Sequence, residues 1–149
     1  MFRAILALSA VLSALLAQTP PAAAEDDMIA RLRGLYGSDN SPEFSCADNP
    51  VTLDFTAAPP HAVFSWDFPS DTVVGPDRLR EVYDLVGPTA GGLLMRLEGE
   101  PRRTDSGERP VWILRPAPDF SGFCWGRTDW PLMRCVGGHH RCEAVPPVS

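Results

Sequence analysis

Val51-Thr52-Leu53-Asp54-Phe55 and, a little further on, Phe64-Ser65-Trp66-Asp67-Phe68 decide how this chain is read. Apolar and polar residues alternate strictly in both stretches. That period of two predicts strands with one face buried and one face wet. Working outward, Leu93, Met95 and Leu97 alternate with Arg96 and Glu98, while Glu81 to Val86 alternates less cleanly around Val82 and Tyr83. Val111-Trp112-Ile113-Leu114 is apolar throughout, which fits a strand covered on both sides. Phe123 and Trp125 face opposite to Cys124, and Leu132 to Val136 reads as a last short strand. Ala58-Pro59-Pro60, Val74-Gly75-Pro76-Asp77, Gly87-Pro88 and Thr104-Asp105-Ser106-Gly107 carry turn chemistry. The charged segment Gly99 to Arg109 reads as a hairpin tip between two strands. The expectation is a mainly β domain, a small antiparallel barrel or sandwich of about seven strands. The pattern leaves barrel and sandwich both open.

One helix precedes the strands. Asp26 or Asp27 suits its start, where acids complement the helix dipole. Met28, Ile29, Leu32 and Leu35 form one apolar stripe, and Gly37 is a suitable stop.

Residues 1–24 read as a secretory signal peptide. Arg3 supplies a positive head, residues 4–17 an apolar run too short to span a bilayer, and Ala22-Ala23-Ala24 a small-residue cleavage site. Residues 25–149 then form a single domain, with 144–149 a frayed tail. The expected destination is the periplasm or the exterior, with no membrane insertion after cleavage.

Thirteen Arg, no Lys and nineteen acids give a formal charge of −6. That balance argues against a nucleic-acid binder, which needs a basic face. In an exported chain four cysteines predict disulfides. Three pairings are possible. Cys124 with Cys135 is favoured because they bracket a short strand–loop–strand segment, and Cys46 with Cys142 because they tie the start of the domain to its end. The competing reading is a metal site, Cys135-x3-His139-His140-x-Cys142. Its spacing fits no standard zinc arrangement, and Gly137-Gly138 reads as a turn, which makes His139 and His140 loop residues in solvent.

Leu94-Met95-Arg96-Leu97-Glu98-Gly99-Glu100, Arg102-Arg103-Thr104-Asp105, Val111-Trp112-Ile113-Leu114 and Cys124-Trp125-Gly126-Arg127-Thr128-Asp129-Trp130-Pro131 resemble small exported proteobacterial proteins that carry no assigned activity. The layout, a helix followed by a meander of strands, is also similar to lipocalin-like barrels. Where those barrels have G-x-W near the first strand, this chain has Gly34-Leu35-Tyr36, on or beside the helix, so the likeness implies no ligand cavity.

For chemistry the residues offer little. His61, His139 and His140 sit in no nucleophile motif, and His61 reads as turn filler after Pro59-Pro60. Glu98 and Glu100 fall two apart, on one strand face with Arg96, and read as a solvated charge ladder; the alternative is a carboxylate hydrolase using Glu98 or Asp129. Arg127-Thr128-Asp129-Trp130 crowds a cation, a carboxylate and an indole into one loop, the composition of a binding hot spot. The expected function is therefore a non-enzymatic binding module for a protein, a glycan or a small ligand, with no cofactor. Its contact residues would be Trp125, Arg127, Asp129, Trp130, Arg102 and Arg103. The bland alternative is a structural corner in which Arg127 pairs with Asp129 and Trp125 fills the core. Metal binding through His139 and His140 is the remaining alternative.

Overall fold

The computed structural model describes residues 21–143. The apolar run of the expected signal peptide and the tail 144–149 lie outside the described residues. An antiparallel meander of eight strands closes on itself: β1 (Gly34–Ser38), β2 (Val51–Ala57), β3 (Pro60–Thr72), β4 (Gly75–Thr89), β5 (Gly92–Leu97), β6 (Trp112–Pro116), β7 (Gly122–Arg127) and β8 (Val136–Arg141). Closure comes from β1 pairing with β8, Tyr36 opposite Arg141 and Ser38 opposite His139. A closed barrel has no free sheet edge to template aggregation.

The alternating residues behave as the pattern predicts. Val51, Leu53, Phe55, Phe64, Leu93, Met95, Leu97, Trp112, Leu114 and Phe123 are buried in one core. Phe68 departs from the pattern and is 62% exposed, because β3 shifts register against β4 between Ser65 and Ser70. Across that irregularity Asn49, itself buried, donates to Phe68 O at 3.0 Å and to Ser70 Oγ at 3.1 Å.

Several boundaries differ from expectation. The helix α1 spans Pro21–Leu32, so Ala22–Ala24 form its first turn and Asp26 and Asp27 lie within it, not at its cap. Proline suits a first helical position and alanine is the best helix former. Leu35 leaves the helical stripe: Gly34, at φ +155°, breaks the helix, and residues 34–38 become β1. Gly87-Pro88 is not a turn. It lies in β4, at a register shift against β5 between Leu85 and Gly87. The last strand is β8, so Gly137 and Gly138 extend a strand where a turn was expected, and residues 132–135 belong to the preceding loop.

α1 plugs one end of the barrel. Leu32 is fully buried, and Met28 and Ile29 pack on the core. The Arg31 guanidinium lies 3.8 Å over Phe120, in the β6–β7 connection at that end. The connections β1–β2, β3–β4, β5–β6 and β7–β8 gather at the other end.

Both disulfides are the favoured pairs, Cys46–Cys142 and Cys124–Cys135. Cys46–Cys142 fastens the β1–β2 loop to the end of β8, and Cys124–Cys135 clamps the β7–β8 loop. Two such bonds mark a protein of an oxidising compartment rather than the cytoplasm. No helix among the described residues is long and apolar enough to cross a membrane.

Candidate functional site

Inside the barrel, β3, β4 and β7 each turn aromatic residues inward. Phe64 meets Tyr83 edge-on at 5.3 Å, and Trp125 stacks on Tyr83 at 5.3 Å with planes 23° apart. Phe123 sits edge-on to Trp125 at 5.8 Å and to Tyr36 at 4.9 Å. These rings fill the barrel towards its plugged end. Above them, towards the loop end, a cavity of about 320 Å³ remains open. Phe64, Trp66, Tyr83 and Trp125 form its walls and Val51 extends them, while Phe44, from the Pro42–Phe44 turn of the β1–β2 loop, closes in at the mouth. Phe44 and Trp66 lie 6.2 Å apart.

Ser38, Asn40, Ser41, Asp71 and Thr72 bring polar groups to the cavity lining, and Glu81, Tyr83 and His139 add titratable ones. Glu81 follows the same inward parity as Tyr83 and accepts from the Tyr83 hydroxyl at 3.2 Å. Burial pushes the Glu81 carboxyl above its ordinary value, although the hydroxyls of Thr72 and Tyr83 and the backbone of Val73 pull the other way. The Tyr83 phenol is pushed well up, first by burial and then by the neighbouring Glu81 charge. His139 lies flat on Phe123, 4.7 Å away and 10° off parallel, with Nδ1 2.7 Å from Gly137 O. Burial lowers its pKa, which disfavours the charged imidazolium.

Beside this cavity a second layer joins the β5–β6 and β7–β8 loops. Glu100 is almost fully buried and accepts from Arg102 Nε at 2.7 Å, Arg102 Nη2 at 2.8 Å and Trp112 Nε1 at 3.0 Å. Burial raises the Glu100 carboxyl, but these donors together outweigh it and leave the pKa lowered. Arg102 and Arg127 lie over the Trp112 ring at 4.6 and 5.4 Å, and Arg134 lies over Trp130 at 4.2 Å. Arg127 grips Asp129 through a fork at 2.8 and 2.6 Å, which holds the Asp129 carboxyl below its ordinary value.

Of the residues singled out in the sequence, Arg102, Arg127, Asp129 and Trp130 therefore come together around Trp112. Their charges are paired within this layer, Arg127 with Asp129 and Arg102 with Glu100. Arg103 is tied to Glu100 O at 3.0 Å and Arg102 O at 2.8 Å. Trp125 faces inward, into the cavity, away from that loop surface. No protein family, curated protein or solved structure matches the chain.

Three expectations change. Glu98 and Glu100 do not share a face: the chain turns at Gly99, φ +71°, so Glu100 goes inside while the Glu98 side chain stays 53% exposed. They do not form a solvated ladder. His139 and His140 are strand neighbours that point to opposite sides. His140 faces outward, Nδ1 2.6 Å from Asp39, while His139 faces the cavity. With all four thiols oxidised, that pair cannot hold one ion. His61 belongs to β3, not to a turn. Its Nε2 lies 3.3 Å from Asp84 and its Nδ1 3.8 Å from Glu98, the one grouping among the described residues that could hold a metal ion. Both carboxylates are exposed, and such surface groupings are ordinary without an ion.

The sequence reading missed Phe44, Phe64, Trp66, Glu81 and His139 as cavity residues. Glu81, two positions before inward Tyr83 on the same strand, was the available signal, because a charged residue at an inward position marks a polar interior.

Proposed function

We propose that the protein is an exported, non-enzymatic carrier or sensor that binds a small ligand in the loop end of its barrel. One observation carries this reading. The barrel is plugged by α1 at one end and retains an aromatic-walled cavity of about 320 Å³ at the other. A cavity of that size lined by rings and few polar groups is the usual form of a small-molecule site. Gly34-Leu35-Tyr36 lies on β1 with Tyr36 inside the barrel, and the cavity reading rests on the barrel's own geometry rather than on the lipocalin-like layout. Export to the periplasm or exterior is supported by the charged, apolar and small-residue order of residues 1–24 and by the two disulfides. Cleavage after Ala24 leaves Met28, Ile29 and Leu32 in place to plug the barrel.

The test is a titration of the oxidised protein with N-phenyl-1-naphthylamine, a neutral apolar probe. One probe per chain should bind with energy transfer from tryptophan. Val73→Trp should abolish binding, because Val73 borders the cavity yet is 42% exposed, so the larger ring fills the mouth without disturbing the core. Absence of saturable binding in the wild type would refute the reading.

A second reading, contact with a protein partner, is favoured by Leu132 and Met133, which are 79% and 90% exposed in the loop clamped by Cys124–Cys135. Exposed apolar side chains on a fixed loop suit an interface. Leu132→Ser with Met133→Ser should then remove partner capture while leaving probe binding intact.

A further inference from the structure

The cavity has a one-sided charge. Two carboxylates border it, Glu81 within and Asp71 at the mouth, and no arginine does, in a chain whose thirteen basic residues are all Arg. The guanidinium whose charge acts on Glu81 is Arg102, whose fork is committed to Glu100. His139, the remaining titratable group on the wall besides Tyr83, lies flat on Phe123, and burial there disfavours its charged form. Phe44, Phe64, Trp66, Tyr83 and Trp125 contribute five aromatic rings to the lining, and an aromatic ring attracts a cation that approaches its face. A ring-lined cage with a carboxylate and no competing base is built for positive charge. An anion or a fatty acid would meet two carboxylates there without a counter-charge.

Resting on the ligand-binding reading above, we infer that the cavity takes a small organic cation, an ammonium whose alkyl groups lie against Trp66, Tyr83 and Trp125 and whose charge faces Glu81. The methyl or methylene groups of such an ion satisfy the apolar wall, and its diffuse charge is attracted by rings and carboxylate together. Asp71, exposed at the mouth, adds attraction on entry.

The probes are choline and its neutral isostere 3,3-dimethyl-1-butanol, which differ in charge and hardly in shape, with hexanoate as the anion. Calorimetric titration of the oxidised chain should show choline binding about tenfold tighter than the isostere. Hexanoate should be the weakest of the three. Glu81→Gln should bring choline to within about twofold of the isostere, and Asp71→Asn, at an exposed position, should weaken choline by about twofold. Equal affinity for choline and the isostere, or tighter binding of hexanoate, would overturn the inference. If N-phenyl-1-naphthylamine binds in the barrel but none of the three small probes does, the cation preference fails and the cavity reading stands. If that probe fails as well, both fail.

Discussion

The guanidinium of Arg141, at the end of β8, lies 4.9 Å over the ring of Tyr36 on β1 and donates to its hydroxyl at 2.6 Å. The same side chain donates to Arg31 O at 2.5 Å, Arg33 O at 2.9 Å and Phe120 O at 3.2 Å, while the Tyr36 hydroxyl donates to Leu32 O at 2.8 Å. Last strand, first strand and plug helix thus meet at two residues. The final carbonyls of α1, which have no partners within the helix, are satisfied there. Burial raises the Tyr36 phenol, against the pull of Arg141.

Arg141→Ala should therefore cost about 3 kcal/mol, since it strips several carbonyls and a buried hydroxyl of their donor at once. Arg141→Lys should recover little of this, because an ammonium cannot fork across three carbonyls while stacking on a ring. Urea unfolding of the three proteins checks both statements, and a loss below about 1 kcal/mol for the alanine variant would contradict them.

Glu100 and Trp112 make a second joint. Glu100→Ala should cost about 2–3 kcal/mol, lower than for a fully enclosed ion pair because the Arg102 side chain is 39% exposed. Its folded pKa is lowered, so its contribution is present above the ordinary glutamate range and is lost as pH falls through the folded value. Stability measured against pH should accordingly show a shallower acid loss in Glu100→Gln than in the wild type.

His139 and Glu81 titrate against stability with opposite signs. The His139 pKa is lowered from 6.5 in the fold, so the unfolded chain binds the proton first. Its share of stability is complete above that value and is lost as pH falls below it. The Glu81 pKa is raised from 4.5, so stability declines as pH climbs from there through the folded value. His139→Phe should flatten the fall in melting temperature as pH drops below 6.5, and Glu81→Gln should remove the decline as pH climbs above 4.5. Unchanged profiles would place both side chains in water.

The two disulfides should differ in weight. Cys46–Cys142 closes a separation of 96 residues and Cys124–Cys135 one of 11. Chain entropy assigns the longer loop about 4.5 kcal/mol and the shorter about 3 kcal/mol. Paired Cys→Ser variants should lose stability in that order in chemical denaturation. Loss of the short bridge should also loosen the loop bearing Leu132 and Met133, read as faster amide exchange from residues 128–135.

Much of the barrel is legible in its sequence because burial imposes alternation. Leu53 and Phe55 on β2, and Met95 and Leu97 on β5, mark their inward faces directly. The strands that close the barrel are not so marked. β1 is Gly34-Leu35-Tyr36-Gly37-Ser38, and Leu35 continues the spacing of Leu32, so the helix pattern runs on into it. β8 offers Val136 as its only aliphatic residue, followed by two glycines, and becomes a strand because β7 and β1 supply hydrogen bonds on both sides. Gly87-Pro88 reads as a turn, yet the register shift in β4 absorbs it. At the site, the Arg127–Asp129–Trp130 loop was visible by composition. The cavity was not, because it depends on which inward residues from separate strands fail to meet.

In the proposed function a ligand lies inside the loop end of the barrel. Intermolecular NMR contacts between bound N-phenyl-1-naphthylamine and the oxidised protein test it most directly. Contacts to the ring protons of Trp125, Tyr83 and Phe64 are expected. Contacts confined to Leu132 and Met133 on the outer loop would contradict it.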